Sequence, residues 1–176
     1  VKGDGSMTSG AFEQLSQRDL NHLHPNAGST QIDDSVYVVS GEIESRSIQT
    51  PQIERTNLNL NGSIRPWEVV GNLPESRDQA TVAATGDDIY IIGNHPGTSA
   101  VTRVRIESDG TIGARFVESS LNQPRYNGAA FVHENWLWQI GGANQSVDGA
   151  VLASTEHAAI NADGSLGPWI EGPELN

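Results

Sequence analysis

The chain has no cysteine and a single methionine. Disulfides and thiolate metal sites are therefore excluded, while the compartment stays open, because a disulfide-free protein can live inside or outside the cell. Basic residues are scarce: 10 Lys and Arg stand against 22 Asp and Glu, a formal charge of −12. Such a surface repels phosphate, which argues against nucleic-acid backbones and anionic membranes as partners and leaves cations or a basic protein open. No apolar run approaches the roughly 18 residues that cross a bilayer, so no membrane insertion is expected. No stretch shows a convincing helical period with caps, and at most one helical turn is expected within residues 11–22. The chain begins at Val1 without a charged-then-apolar leader, which suggests a processed product or a piece of something longer.

Turn formers are plentiful. Nineteen glycines and eight prolines among 176 residues, with 36% hydrophobic content, suit a turn-rich all-β chain large enough to bury a core. The turns recur in register. Asp4-Gly5-Ser6, Asn61-Gly62-Ser63, Asp109-Gly110-Thr111 and Asp163-Gly164-Ser165 are separated by 57, 48 and 54 positions. Asx-Gly pairs supply the positive φ that tight β-turns need. Twelve residues after the last three turns stand Leu73, Leu121 and Leu175, and the first copy reaches Leu20 with a four-residue insertion. A basic residue follows four further on (His24, Arg77, Arg125), and an aromatic thirteen beyond that opens a short apolar run: Tyr37 to Gly41, Tyr90 to Asn94, Trp138 to Gly142. Four anchors that keep register mark one unit repeated.

Each unit reads as four short strands. In the last, Asn127 to Val132 is expected as strand one, Trp136 to Ile140 as strand two, about Val151 to Ile160 as strand three, and Leu166 to Ile170 as strand four. The second-strand runs Val36–Val39 and Ile89–Ile92 are apolar on both faces and should lie between neighbouring sheets.

Units of four strands and about 50 residues have the size of a propeller blade. The glycines after strand two, the late Trp67 and Trp169, and the basic residue entering strand one resemble the kelch-type β-propeller repeat of bacterial surface and secreted proteins. The resemblance implies an all-β propeller arc: an orphan fourth strand with the insertion (residues 1–20), then blades over 21–73, 74–121 and 122–176. The copies differ: only the last keeps Gly-Gly after strand two, against Ser40-Gly41 and Gly93-Asn94, and Gly10 and Arg115 stand where the tryptophans do. Kelch copper oxidases use a cysteine joined to tyrosine, which this chain lacks.

Propellers close with roughly four to eight blades. Three blades in an arc leave two faces bare, each costing several kcal/mol at about 25 cal/mol per Å2 of apolar surface. The expected partners are therefore the remaining blades, from a longer chain as the simpler account or from a second subunit closing a six-bladed ring.

The chemistry-bearing residues are weighed against plain roles. Asp33-Asp34, Asp87-Asp88 and the Asp-Gly pairs fit turns with exposed acids better than calcium sites, since no calcium-loop spacing occurs. His22 and His24 share a strand face but lack a third metal ligand. Neither His133 nor His157 has an acid or nucleophile at motif spacing. Arg77 and Arg125 could bind a carboxylate near the channel, but their repetition favours a structural contact. Trp136 and Trp138 share one strand face, which suits blade packing more than sugar stacking. Asn144 sits in a glycosylation sequon in a long loop. No nucleophile elbow, phosphate loop, catalytic carboxylate pair or metal motif is present, and no cofactor is expected.

Function is expected in the variable face loops Glu42–Thr50, Asn94–Ala100 and Gly142–Gly149 and beside them, with Arg46, Arg77, His95, Arg125, Asn144 and Asp148 as candidate ligand-binding residues. The favoured reading is a non-enzymatic binding or assembly module, extracellular or at a cell surface, that recognises a protein or glycan. The alternatives are a fragment of a sugar-acting propeller enzyme of the epimerase or oxidase type, and a structural subunit of a larger assembly.

Overall fold

The computed structural model describes residues 25–43, 48–145 and 150–176. The expected orphan strand, the insertion and His22 and His24 lie outside the described residues. Three four-stranded antiparallel sheets follow one another along the chain. In the first, β1 (Gly28–Ile32) and β2 (Ser35–Val39) form a hairpin. A short ribbon of β3 (Glu42–Ile43) and β4 (Ile48–Gln49) stands off its end, and β5 (Gln52–Asn57) and β6 (Glu68–Asn72) complete the sheet. The second sheet is β7 (Thr81–Thr85), β8 (Asp88–Ile92), β9 (Val101–Ile106) and β10 (Ile112–Val117). The third is β11 (Ala129–His133), β12 (Trp136–Ile140), β15 (Thr155–Ile160) and β16 (Leu166–Glu171), with β13 (Ala143–Asn144) and β14 (Ala150–Val151) as its own ribbon. The described residues contain no α-helix.

Two strand starts in the third sheet differ from expectation, and strands one and four each run one residue further than expected. Strand one of the third sheet begins at Ala129, because Asn127 is left-handed at φ 51° and turns the chain before pairing starts. Strand three begins at Thr155, because Ala150 and Val151 pair with Asn144 and Ala143 in the ribbon instead.

Alternation along β8 decides how the sheets stack. All five of its residues are buried. Ile89 and Ile91 join Tyr37, Val39 and Ile53 in a core between the first and second sheets. Tyr90 and Ile92 join Leu137, Ala158 and Trp169 in a core between the second and third. The innermost strands β1, β7 and β11 lie side by side. The middle sheet is thus covered on both faces, as its doubly apolar second strand requires.

A polar joint recurs beside each core. The turns between the third and fourth strands of the sheets are copies of one another. The backbone N–H of Asn59, Glu107 and Asn161 donates to the carbonyl four residues on at 2.8, 2.9 and 2.9 Å. The Asx side chain then accepts the N–H two residues ahead, Ser63, Thr111 or Ser165, at 3.0, 2.9 and 3.0 Å. The second sheet's turn seats on the first sheet: Tyr37 Oη donates to the Gly110 carbonyl at 3.4 Å and Arg55 to the Asp109 carbonyl at 2.7 Å. The third sheet's turn seats on the second in the same way. Tyr90 Oη donates to the Gly164 carbonyl at 2.7 Å, and Arg103 and Arg105 donate to the Asp163 carbonyl at 3.2 and 3.1 Å.

The charges around the joints follow. Burial, aided by Asp88, holds the Tyr90 phenol well above its ordinary pKa, so it stays a donor. The Thr111 and Ser165 hydroxyl and N–H groups hold the Asp109 and Asp163 carboxyls below theirs, with Arg55 and Arg103 adding to the effect. Asp88 is not the exposed turn acid expected. It is buried, and Arg105 grips it in a two-point pair at 2.6 and 2.9 Å because the joint brings that guanidinium over it.

The missing tryptophan of the second sheet also has an account. Trp169 donates from its indole N–H to the Ser119 carbonyl across the joint at 2.9 Å. Arg115, which stands at the same repeat position, donates to the Asn72 carbonyl of the preceding sheet at 2.6 Å.

Candidate binding face

Within each sheet the antiparallel order sends two kinds of connection to opposite ends. The hairpins between strands one and two and the Asx-Gly turns lie at one end; the loops between strands two and three, and the links between sheets, lie at the other. The turn end repeats itself. The loop end varies: the first and third sheets carry ribbons there, while the second carries a compact loop with a cis His95–Pro96 peptide.

The centre of the loop end is built by repetition. Each innermost strand is entered through a left-handed residue, Asn26, Gln79 or Asn127, at φ 62, 56 and 51°. Asn and, less readily, Gln tolerate this region. The turned backbones then hydrogen-bond from sheet to sheet: Gln79 N–H donates to the Asn26 carbonyl at 3.1 Å, and Asn127 N–H to the Gln79 carbonyl at 2.9 Å. The Asn127 amide donates to the Gln79 side-chain oxygen at 2.8 Å. A cavity of about 420 Å3 opens here, rimmed by these three amides with Ser29 and Thr81 beside them.

Beside this mouth runs the seam between the second and third sheets. His95 donates its N–H to the Asp78 carbonyl at 2.8 Å, and its ring stands edge-on to Tyr126 with centroids 5.0 Å apart. His95 Nδ1 lies 3.9 Å from Asp78 Oδ2. The Asp78 carboxylate is 3% exposed; Oδ2 accepts from the Gln79 amide at 3.2 Å, and Oδ1 has no hydrogen-bond partner among the described residues. A buried oxygen of that kind is costly unless something else meets it.

The expected site residues divide. Arg46 and Asp148 lie outside the described residues. Arg125 is 1% exposed. It donates to the Gly141 and Ser154 carbonyls at 2.8 and 3.1 Å, to Ser154 Oγ at 3.1 Å and to Glu156 at 2.6 Å, so its fork is occupied within its own sheet. Arg77 is buried at the same register. Its partner there is Thr102 Oγ1 at 3.3 Å rather than an acid, with Glu75 at 3.9 Å. Burial lowers its pKa, and Glu75 opposes that only in part. Asn144 is 4% exposed, which contradicts its reading as an accessible glycosylation acceptor: the ribbon folds it inward against the His95–Gly97 loop, where Gln145 N–H donates to the Pro96 carbonyl at 3.0 Å.

The structure thus gathers His95, Asn144 and the backbone of Arg125 at one seam, and keeps Arg77 inside the preceding one. Asp78 and Tyr126 were missed. Each directly follows a repeated arginine, so the register signal that marked the arginines also marked them.

The outer face of the third sheet carries a second group. Phe131 stacks on Trp138 with centroids 6.2 Å apart, and Trp138 stacks on His157 at 4.4 Å. Trp136 meets the same imidazole at 5.1 Å. The two tryptophans share a face, as expected, and it is the face turned away from the second sheet.

Comparison with solved structures decides the architecture. The solved structure of YjhT, a kelch-repeat protein, matches over 86% of this chain with a TM-score of 0.64 at 12% sequence identity. The three sheets are propeller blades. The match covers 46% of the YjhT chain, so this chain spans less than half of that propeller's length, consistent with further blades being needed to complete a ring. No family model matches the sequence, and no curated relative does. At this identity the likeness speaks for fold alone.

Proposed function

We propose that this kelch-like arc is a non-enzymatic binding and assembly module, extracellular or at a cell surface, that takes a protein or glycan on its loop face. One observation carries the reading: the half-exposed His95 ring lies beside a buried carboxylate with an unmet oxygen, at a seam next to a mouth rimmed by neutral amides. Amide and imidazole groups with one carboxylate suit a hydroxyl-bearing ligand, each hydroxyl both donating and accepting. Of the candidate arginines, Arg77 and Arg125 are spent inside the blades.

A second reading, a sugar-acting enzyme of the epimerase or oxidase type, draws on the same Asp78–His95 pair as an acid–base couple. Their 3.9 Å separation is longer than a direct hydrogen bond, which favours binding over proton transfer in this arrangement.

The test is an oligosaccharide array, neutral and acidic, with the wild-type chain and two variants. Asp78→Asn combined with His95→Ala is expected to weaken any array signal about tenfold or more, the worth of one or two polar contacts to a ligand. Asp109→Asn, at the opposite end, is expected to leave it unchanged. Retention of the signal in the double variant sinks the assignment of the site, and turnover of an arrayed sugar favours the enzyme.

A further inference from the structure

The two joints of the arc define a plug and a socket, and the described residues carry one more of each, the Asp4-Gly5 turn lying outside them. The plug of the second sheet (Asp109-Gly110) fills the socket Tyr37/Arg55, and the plug of the third (Asp163-Gly164) fills the socket Tyr90/Arg103. The first sheet's plug, Asn61-Gly62, has the same internal hydrogen bonds but is exposed, with Leu60 beside it fully so. The third sheet's socket is formed by the residues in register with Tyr90 and Arg103, namely Trp138 and His157. It faces away from the second sheet and leaves Phe131 and Ile170 about half exposed. His157 Nδ1 is buried and lacks a hydrogen-bond partner among the described residues, at the position where the other sockets present a guanidinium to the plug's carbonyl.

The chemistry of the spare pair matches. Both seated plugs carry aspartate and sit on arginine, and each arginine helps to hold its aspartate ionised. The spare plug alone carries asparagine, and the spare socket alone lacks a guanidinium. Carboxylate goes with arginine, and amide goes with tryptophan and histidine.

We propose that the outer face of the third blade is an interface for a second copy of this chain, with the Asn61-Gly62 turn of each copy seated on Trp138 and His157 of the other. Two such joints, related by a two-fold axis, cover the outer face of the third sheet and the first sheet's plug in both copies. The resulting ring has six four-stranded sheets, within the range of closed propellers. The buried face is aromatic at its centre, the composition that carries interface affinity. This inference rests on the assembly half of the proposed function and is independent of the loop-face ligand.

Sedimentation equilibrium of the 176-residue chain between about 1 and 100 μM tests it, over the range where a standard-sized interface associates. The expected species has twice the 18.8 kDa chain mass. Asn61→Asp places a carboxylate where no guanidinium waits and is expected to weaken association about tenfold; adding His157→Arg, which copies the other sockets, is expected to restore it. Both substitutions use residues that the sister sheets already carry at these positions, so the folded blade is kept, as far-ultraviolet circular dichroism would verify. A monomer throughout the range, or a dimer indifferent to both changes, overturns the proposal. Either failure leaves the array result at the loop face standing.

Discussion

Glu156→Ala is expected to remove about 3–5 kcal/mol of folding stability, the scale for stranding one member of a buried ion pair. That is a large share of the about 5–15 kcal/mol that holds a typical domain together. Glu156 is 1% exposed, and it serves three donors at once. Arg125 reaches its carboxylate at 2.6 Å, and the backbone N–H groups of Asn122 and Gln123 reach it at 2.7 and 3.1 Å. Truncation leaves a fully buried guanidinium without its counter-charge and two link amides without an acceptor. Replacing both partners, Arg125→Met with Glu156→Leu, is expected to cost less than the single change, because no unpaired charge remains and only the neutral backbone partners at Asn122, Gln123, Gly141 and Ser154 lose a hydrogen bond. Urea denaturation checks both, with stability read from the midpoint at constant m-value. A loss below about 1 kcal/mol for the single change, the range of exposed pairs, would mean that water reaches this pair.

Gly142→Ala is the second large effect, expected at about 3 kcal/mol from strain and collision together. Gly142 sits at φ 100°, a region that L side chains rarely adopt, and an added Cβ would lie 2.5 Å from the Tyr126 carbonyl oxygen. That oxygen already accepts the Ala143 N–H at 2.9 Å, so the link and ribbon cannot part without losing a bond. Gly86 separates the two causes. It has φ 54° with open space around the missing Cβ, and Gly86→Ala is expected to cost only the backbone strain, about 1 kcal/mol. Equal losses at the two glycines, by the same urea measurement, would show that the seam at Tyr126 is loose.

These two sites show what the sequence made legible. The glycine was readable because backbone conformation is a local demand: Gly41 stands in its register at φ 105°, and the residues just before the exit, Ser40, Gly93 and Gly141, are left-handed in all three sheets. The arginines were readable as repeated structure for the same reason of register. Their partners were not. Glu156 lies 31 residues from Arg125, Tyr37 and Gly110 are 73 apart, and each plug offers a backbone carbonyl that has no letter in the sequence. The two ribbons were hidden as well, since two-residue strands such as Ala143–Asn144 carry too little pattern to betray a period. At the candidate site, His95 and Asn144 were marked by loop position. Asp78 and Tyr126 went unread because an acid and an aromatic beside a repeated arginine look like part of the repeat until the seam brings them together.

The departures from the repeat were as informative as the repeat itself. Arg115 replaces a tryptophan yet still donates to the sheet before its own, and Trp138 with His157 replaces the tyrosine–arginine socket on the third sheet's outer face. A repeat that drifts only where its neighbour changes is one in which each face is fitted to what covers it.

The stacking of the sheets is tested most directly by amide hydrogen exchange at Gln79 and Asn127. Both are left-handed residues ahead of their strands, so within an isolated sheet neither N–H has a strand partner; their bonds run to Asn26 and Gln79 of the sheet before. Stacked blades are expected to slow exchange at both positions toward the rates of the core strand β8, since such protection needs the joint to open first. Exchange at both as fast as in an unstructured peptide would contradict the stacked arc.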